Sequence, residues 1–429
     1  MKVWIFQTGE PLHCDLGNPR PMRAMNLANK LIDMGHTVTL WSSAFYHQEK
    51  RHRVNKYKKI IFSKFLEIHL IPSPGYIKNI GIKRLYDHIV LAINLKKILK
   101  KESSIPDIAF IGYPPIEFAY VAQKWLKKNN VSTILDIKDL WPEIFISFFP
   151  KSIKILSRIF LFPYYYLAKK VINNATAISS MTDAFLDYAI NSFGRSRSKI
   201  DLAFPFTSPK IKVADKELKV AKIWWKQIGL NKNAIFRVCY IGNISNNIEL
   251  KPVKQAALYF KQELKDIEFV ICGDGPLFEK YKKEFVGINN VKFVGRVNHS
   301  KAVALSDICN ATLIPYKNSK NFQLSLPNKF IDSLSYSLPV LSTLSGEVAK
   351  MIDKHNIGIS YGKSFKKKNL IDGINTLINN VNLLSQMSQN CRKIYQKNFK
   401  YEVVYKNFCN HLIKIKIENE KNNFKEIKN

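Results

Sequence analysis

At 429 residues the chain exceeds what one ordinary core accommodates, and two domains are expected. A hydrophobic content of 46% with 12% aromatics excludes a disordered chain, and no uninterrupted apolar run reaches the roughly 18 residues of a membrane span. The formal net charge of +34 draws polyanions such as nucleic acid, anionic lipid or phosphorylated substrates, although a general bias toward Lys, Asn and Ile contributes part of it.

The first run, 2–6 in MKVWIFQTGE, reads as a short buried strand, with no signal-peptide h-region. After it comes QTGEPLHCDLGNPRPMR, long for a strand-to-helix connection. Gly17 and Asn18 beside Pro19 mark a turn feeding a helix whose free N–H groups could meet a phosphate. The loop is not GxGxxG, so it carries no dinucleotide signature, and a plain long loop is the simpler reading. RAMNLANKLIDMGH places Met25, Ala28 and Ile32 at helical spacing, with Gly35 set to stop the helix.

Further β-type runs follow at 37–41, 66–71, 108–113, 132–137 and 175–179. Between the second and third lies KRHRVNKYKKIIFSK, residues 50–64, with seven Lys or Arg and no acid. DIKDLWPEIF closes the fifth run and crowds Asp136, Lys138, Asp139 and Glu143 at a strand end. Carboxylates there suit a base or sugar-hydroxyl contacts; helix capping by Asp139 is the plainer alternative. Residues 143–170 alternate aromatic clusters with Lys151, Lys154, Arg158, Lys169 and Lys170. That is the composition of a segment lying in a membrane interface, or of an ordinary buried helix.

AFPFTSPKIK, residues 203–212, reads as a join, and KELKVAKIWWKQIGL as the helix opening a second half. The strand rhythm then restarts with FRVCYIG, IEFVICG, VKFVG, ATLIPY, LPVLST and IGISYG. Near-continuous apolar strands alternating with helices predict parallel sheets covered on both faces, so two Rossmann-like domains are expected. Ligands of such sheets sit beyond the C-terminal strand ends. There Gly242 permits close backbone approach, Asn243 and Lys251 stand within reach, and Arg296 follows a short strand. In SLPNKFIDSLSYSLPV, Lys329 and Asp332 share a helical face, as a surface ion pair or as ligand-holding groups. The six cysteines form no metal or CxxC pattern and read as reduced, mostly buried thiols. A helical pattern from about 384 to 416 precedes a polar, frayed tail.

In order and spacing these segments resemble the retaining, GT-B-fold glycosyltransferases of glycosyltransferase family 4 (group 1). Within that family the chain looks like the branch building bacterial O-antigen and capsular polysaccharide. GNPRPMRAMNLANKLIDMGHTVTLWSS resembles the family's first loop, helix and GH-x-V strand, and DIKDLWPE the branch's D-x-R-D-x-W-P-E segment. YIGN, VICGDGP, NVKFVGRV and ATLIPY match successive landmarks, and PNKFIDSLSYSLPVLST matches the P-[SN]-K-x-x-E-Y-x-x-x-G-x-P-V-I signature.

The resemblance implies two doubly wound, parallel-sheet α/β domains facing a central cleft that closes over the donor. They are an acceptor-binding domain at 1–205 and a nucleotide-sugar-binding domain at 206–390. A helix at 391–417 returns to the first, before a tail at 418–429. It puts Asp332 on the donor's ribose hydroxyls and the helix start with Asn328 and Lys329 near the diphosphate, with Gly242, Asn243, Lys251 and Arg296 also at the donor. Asp139, then Glu143, would orient or deprotonate the acceptor hydroxyl, and chemistry would be metal-independent, with no cofactor besides a UDP-linked co-substrate. The partners implied are a lipid-linked saccharide acceptor and the anionic inner face of the cell membrane, with the protein cytoplasmic and peripheral there and no nucleic acid bound. The chain departs from the family at Asp332 (usually Glu), Ser337 (Gly), Leu324 (a second Glu) and Asn243 (Arg). A basic nucleic-acid-binding protein, a nucleotide-sugar epimerase and a non-catalytic GT-B protein are the rival readings; no zinc-finger spacing or RNP-type motif supports the first.

Overall fold

The computed structural model describes residues 1–17, 19–79, 81–146, 159–362 and 364–428, with side chains to residue 421. Two compact units emerge, Met1–Pro209 with Tyr401–Asn429, and Lys210–Lys400. The division falls at Pro209, a few residues beyond the expected 205, inside the Pro- and Ser-rich join.

The first unit carries β1 (Lys2–Phe6), β2 (Thr37–Ser43), β3 (Phe45–Tyr46), β4 (Arg51–His52), β5 (Lys58–Ser63), β6 (Leu66–Ile71), β7 (Ile108–Tyr113), β8 (Ser132–Ile137), β9 (Ala177–Ser180) and β10 (Leu202–Ala203). Among the described residues, eight of them form one sheet in the order β10-β9-β8-β7-β1-β2-β6-β5. All pairs are parallel except β5 with β6. β7 and β8 are buried along their whole length, as strands covered on both faces must be.

The basic stretch 50–64 supplies β4, paired with β3, and the antiparallel edge strand β5. Its cations are partly spent inside the fold: Arg53 holds Asp15 at 2.6 Å with both side chains buried, and Lys59 reaches Glu67 at 2.8 Å. Lysines on an edge strand also discourage further strand pairing. Of the aromatic-basic stretch, 147–158, with Lys151, Lys154 and Arg158, lies outside the described residues.

The second unit carries β11 (Phe236–Ile241), β12 (Ile267–Cys272), β13 (Val291–Gly295), β14 (Ala311–Ile314), β15 (Val340–Ser342) and β16 (Gly358–Ser360). These form a parallel sheet in the order β13-β12-β11-β14-β15-β16.

The expected single C-terminal helical run is two helices. Val381–Ile394 passes through a π-helical turn, Tyr395–Phe399, and stays with the second unit; Lys400 adopts extended backbone, and a new helix, Tyr401–Lys428, packs on the first unit. Val404, Phe408, Leu412 and Ile415 recur at helical spacing and are buried against the first sheet's core, with Phe408 stacked on Phe204 at 3.8 Å. This helix runs on to Lys428, through the segment expected to be a frayed tail.

Candidate functional site

An open parallel sheet offers its ligand crevice where strand order reverses, at the C-terminal ends of the two strands on either side. In the first unit that point lies between β1 and β7, and in the second between β11 and β14.

The first reversal point opens into a cavity of about 190 Å³. Its floor is the chain leaving β1 (Gln7 to Glu10), and Pro114 and Pro115 after β7 and Lys138 and Asp139 after β8 form one side. His47 and Tyr76 close the other, with Arg84 and His88 from the helix Ile82–Leu99. Asp139, read from the sequence as the acceptor-activating carboxylate, thus stands in a walled site. Burial pushes its carboxyl up to about 6, against the opposing pull of Arg84 and Lys138. The helix it was read as capping opens at Glu143, four residues on; Glu143 is half-buried there and outside the walls of this cavity.

The other charges at this strand end are committed. Asp136 is fully buried and bidentate to Arg23, at 2.6 and 2.7 Å. Lys138 donates to Gln7 Oε1 at 2.8 Å and pairs with Glu10. The other oxygen of Glu10 accepts from Ala24 N at 2.8 Å, so the protein's own carboxylate occupies the start of the helix Arg23–Asp33. That helix start was read as a phosphate site served by Gly17 and Asn18. Gly17 sits in an exposed turn at φ +79°, and Asn18 lies outside the described residues.

The cavity residues that escaped the sequence reading include His47, Tyr76, Arg84 and His88. Lys50 Nζ donates to His47 Nδ1 at 3.1 Å and the Tyr76 hydroxyl lies 2.7 Å from the same nitrogen, which makes Nδ1 the acceptor and leaves the proton on Nε2. Burial, Lys50 and Arg84 bring His47 down to about 4; burial, Arg84 and His47 bring His88 down to about 3. Both imidazoles are therefore neutral at pH 7. Arg84 lies 5.1 Å from the Trp141 ring centroid and donates to Asn79 O at 2.6 Å. The carboxyl groups of Glu10, Asp87 and Asp139, the cations of Arg84 and Lys138 and two neutral imidazoles around a small cavity suit hydroxyl groups rather than an apolar ligand.

The second reversal point gathers the residues read from SLPNKFIDSLSYSLPV and YIGN. The helix Asn328–Ser335 starts after Pro327; Asn328 is exposed, and Lys329 Nζ lies 3.3 Å from Asp332 Oδ2 with both side chains partly exposed. Lys329 runs alongside the end of β11: a Cβ on Gly242 would sit 3.2 Å from Lys329 Cε and 2.7 Å from the Tyr240 hydroxyl. Gly273 and Gly275 bring the next loop against Gly242 and the Asn243 side chain, where a Cβ would collide. Tyr316, after β14, faces the same group: burial and then the charge of Asp332 push its phenol up to about 12.

Two further residues were expected here. Arg296 is exposed after the edge strand β13, with β12 between it and β11. Lys251 is exposed at the first position of the helix Lys251–Gln262.

Residues 223–394, within the second unit, match the family described as glycosyl transferases group 1. No curated protein shows significant sequence similarity to the chain. Among solved structures, the fold is similar to sucrose-phosphate synthase from Thermosynechococcus elongatus, with TM-score 0.68 and 12% identity over 95% of this chain and 97% of that one. It is also similar to WaaG, a glycosyltransferase involved in lipopolysaccharide biosynthesis, with TM-score 0.62 and 12% identity over 95% and 98% of the two chains. Anabaena HepE in complex with UDP matches with TM-score 0.62 and 12% identity over 96% and 99%. The two α/β units are those of the GT-B glycosyltransferase fold.

Proposed function

We propose that the protein is a retaining glycosyltransferase that takes a sugar from a nucleotide-sugar donor, UDP-linked, and transfers it to a lipid-linked saccharide during surface-polysaccharide synthesis. The carrying observation is the Lys329–Asp332 pair at the reversal point of the second sheet, against Gly242 and inside the segment matched by the family. A carboxylate accepts two hydrogen bonds from a ribose diol, and Lys329 with the adjoining helix start meets phosphate charge. A partly exposed pair 3.3 Å apart is weak in water, so a ligand supplying a better partner to each side chain displaces it readily.

Donor cleavage builds negative charge on the leaving diphosphate, which Lys329 and the N–H groups at the helix start stabilise without need of a metal. In the first unit Asp139 orients, or accepts a proton from, the incoming sugar hydroxyl, with neutral His47 and His88 alongside. HepE, a similar fold, is known with UDP, and WaaG acts in lipopolysaccharide biosynthesis; both favour this donor and this acceptor class. A cytoplasmic location, peripheral on the inner membrane face, follows from such an acceptor, and no cofactor besides the nucleotide sugar is required.

The test is a thermal shift of the purified protein with UDP, GDP, CMP, ADP and dTDP, alongside Asp332→Ala. A selective rise with UDP that disappears in the variant is expected; no rise with any nucleotide removes the proposal. Gly242→Ala places a methyl group against Tyr240 and Lys329 and is expected to weaken UDP binding about tenfold by displacing the lysine, as measured by titration calorimetry. An unchanged Kd would detach Lys329 from the donor site.

A further inference from the structure

A second recess in the first unit, of about 730 Å³, lies between the helices Ile116–Lys128 and Phe162–Asn174. Five lysines line it, Lys124, Lys127, Lys128, Lys169 and Lys170, and none of the described lining residues is acidic. The two helices are pinned together, so the recess is a built feature: Tyr164 donates to Glu117 Oε1 at 2.7 Å, Gln123 to Val171 O at 2.9 Å, and Lys127 to Asn174 Oδ1 at 3.1 Å. Five exposed ammonium groups gathered on one surface make a field that attracts anions.

The residues leading into the second helix are apolar and turned to water. Phe160 and Phe162 are 77% and 66% exposed, Ile159 is exposed beside them, and Tyr166 follows one turn on with Lys170 4.4 Å from its ring centroid. Isolated exposed hydrophobics need no explanation, but a run of them continuous with a lysine-lined recess does. Phosphate groups suit the lysines, and a hydrocarbon boundary suits Ile159, Phe160 and Phe162. Among the described residues no helix is long and apolar enough to cross a membrane, so contact through this surface is interfacial.

We propose that this recess and its apolar margin are a docking surface for an anionic phospholipid membrane, with the lysines on lipid phosphates and the aromatic margin among the acyl chains. The inference rests on the proposed function only in that the acceptor is membrane-borne. Nucleic acid, which also suits lysines and could stack on Tyr120 and Tyr166, is the competing occupant; the exposed apolar run of Ile159, Phe160 and Phe162 beside the recess favours lipid, because a nucleic acid offers it no hydrocarbon boundary.

The experiment is co-sedimentation of the full chain with vesicles of phosphatidylcholine alone and of phosphatidylcholine and phosphatidylglycerol in equal parts, with a random DNA duplex as a separate arm. The variant Lys124→Glu/Lys128→Glu/Lys169→Glu is compared with Lys232→Glu/Lys265→Glu/Lys283→Glu, which makes the same change of charge at exposed positions of the second unit. The proposal expects binding to the anionic vesicles only, lowered at least about tenfold by the recess variant and far less by the control. Phe160→Ser/Phe162→Ser is expected to weaken vesicle binding while leaving any DNA binding unchanged. Equal loss in the two lysine variants, unchanged binding in the recess variant, or DNA binding that depends on the recess without vesicle binding would each overturn it. Thermal midpoints of the three variants establish that they fold. The nucleotide thermal shift on the same proteins scores the donor site separately, so failure of docking and failure of the catalytic reading are told apart.

Discussion

Asp139→Asn is expected to lower kcat by about 10²–10⁴-fold while leaving the nucleotide thermal shift intact, because the role proposed for the side chain is toward the hydroxyl nucleophile and not the donor. The wild-type pH profile of kcat/KM is expected to rise through an acid limb with a midpoint near 6, since the ionised carboxylate is the active form and burial holds its pKa there. The variant, lacking that group, should show no such limb. Stability should move the other way. The folded carboxyl titrates near 6 and the unfolded one near about 3.9, so between those values the folded state holds a proton the unfolded state has released. Wild-type stability therefore falls as pH climbs through that window and levels off above it. Asn carries no charge to desolvate: the variant should melt with the wild type at about pH 4 and above it at pH 7. Thermal melts at the two values with a radiolabelled-donor assay test both halves. Unchanged turnover, or a melting difference independent of pH, would remove Asp139 from the role.

Most of the fold was legible because parallel strands buried on both faces are continuous apolar runs, and every run read that way is a strand. β5 was missed for the converse reason. An edge strand has one neighbour and much solvent, so KKIIFS keeps lysines beside exposed Ile61 and Phe62 and resembles a basic loop. The grouping at the second reversal point was legible because Gly242, Lys329 and Asp332 fall in short segments at predictable strand ends. The walls of the first cavity were not. His47, Tyr76, Arg84 and His88 come from a hairpin, a loop and a helix, and nothing in the local sequence joins them. One signal was available: Asp87 and His88 are adjacent polar residues, buried on a helix that also carries Leu91 and Leu95 inward. A polar pair on an apolar face is a site signal when the helix begins at the C-terminal end of a parallel strand.

The same limit governs Asp136 and Asp139, which the sequence shows three residues apart and chemically alike. Only the fold brings Arg23 across 113 residues to clamp one of them. Asp136→Ala is accordingly expected to be strongly destabilising, costing about 3–5 kcal/mol, because it leaves the Arg23 guanidinium buried without its counter-charge. The carboxylate does more than neutralise: it accepts from Ser179 on β9 at 2.8 Å, while Arg23 also donates to Phe204 O, so the loss loosens β8, β9 and the first helix together. Replacing both partners by apolar residues, Arg23→Met/Asp136→Leu, should recover most of the loss, since the penalty lies in the orphaned charge rather than in the absent pair. Urea unfolding of the wild type, the two single variants and the double variant measures the coupling directly. If Asp136 took part in the reaction instead, Asp136→Asn would lose turnover at full stability. The buried clamp predicts the reverse, with activity falling only as far as the folded fraction does. Additive single-variant losses would mean that Arg23 finds another counter-charge, and the clamp would then not be what holds this strand end in place.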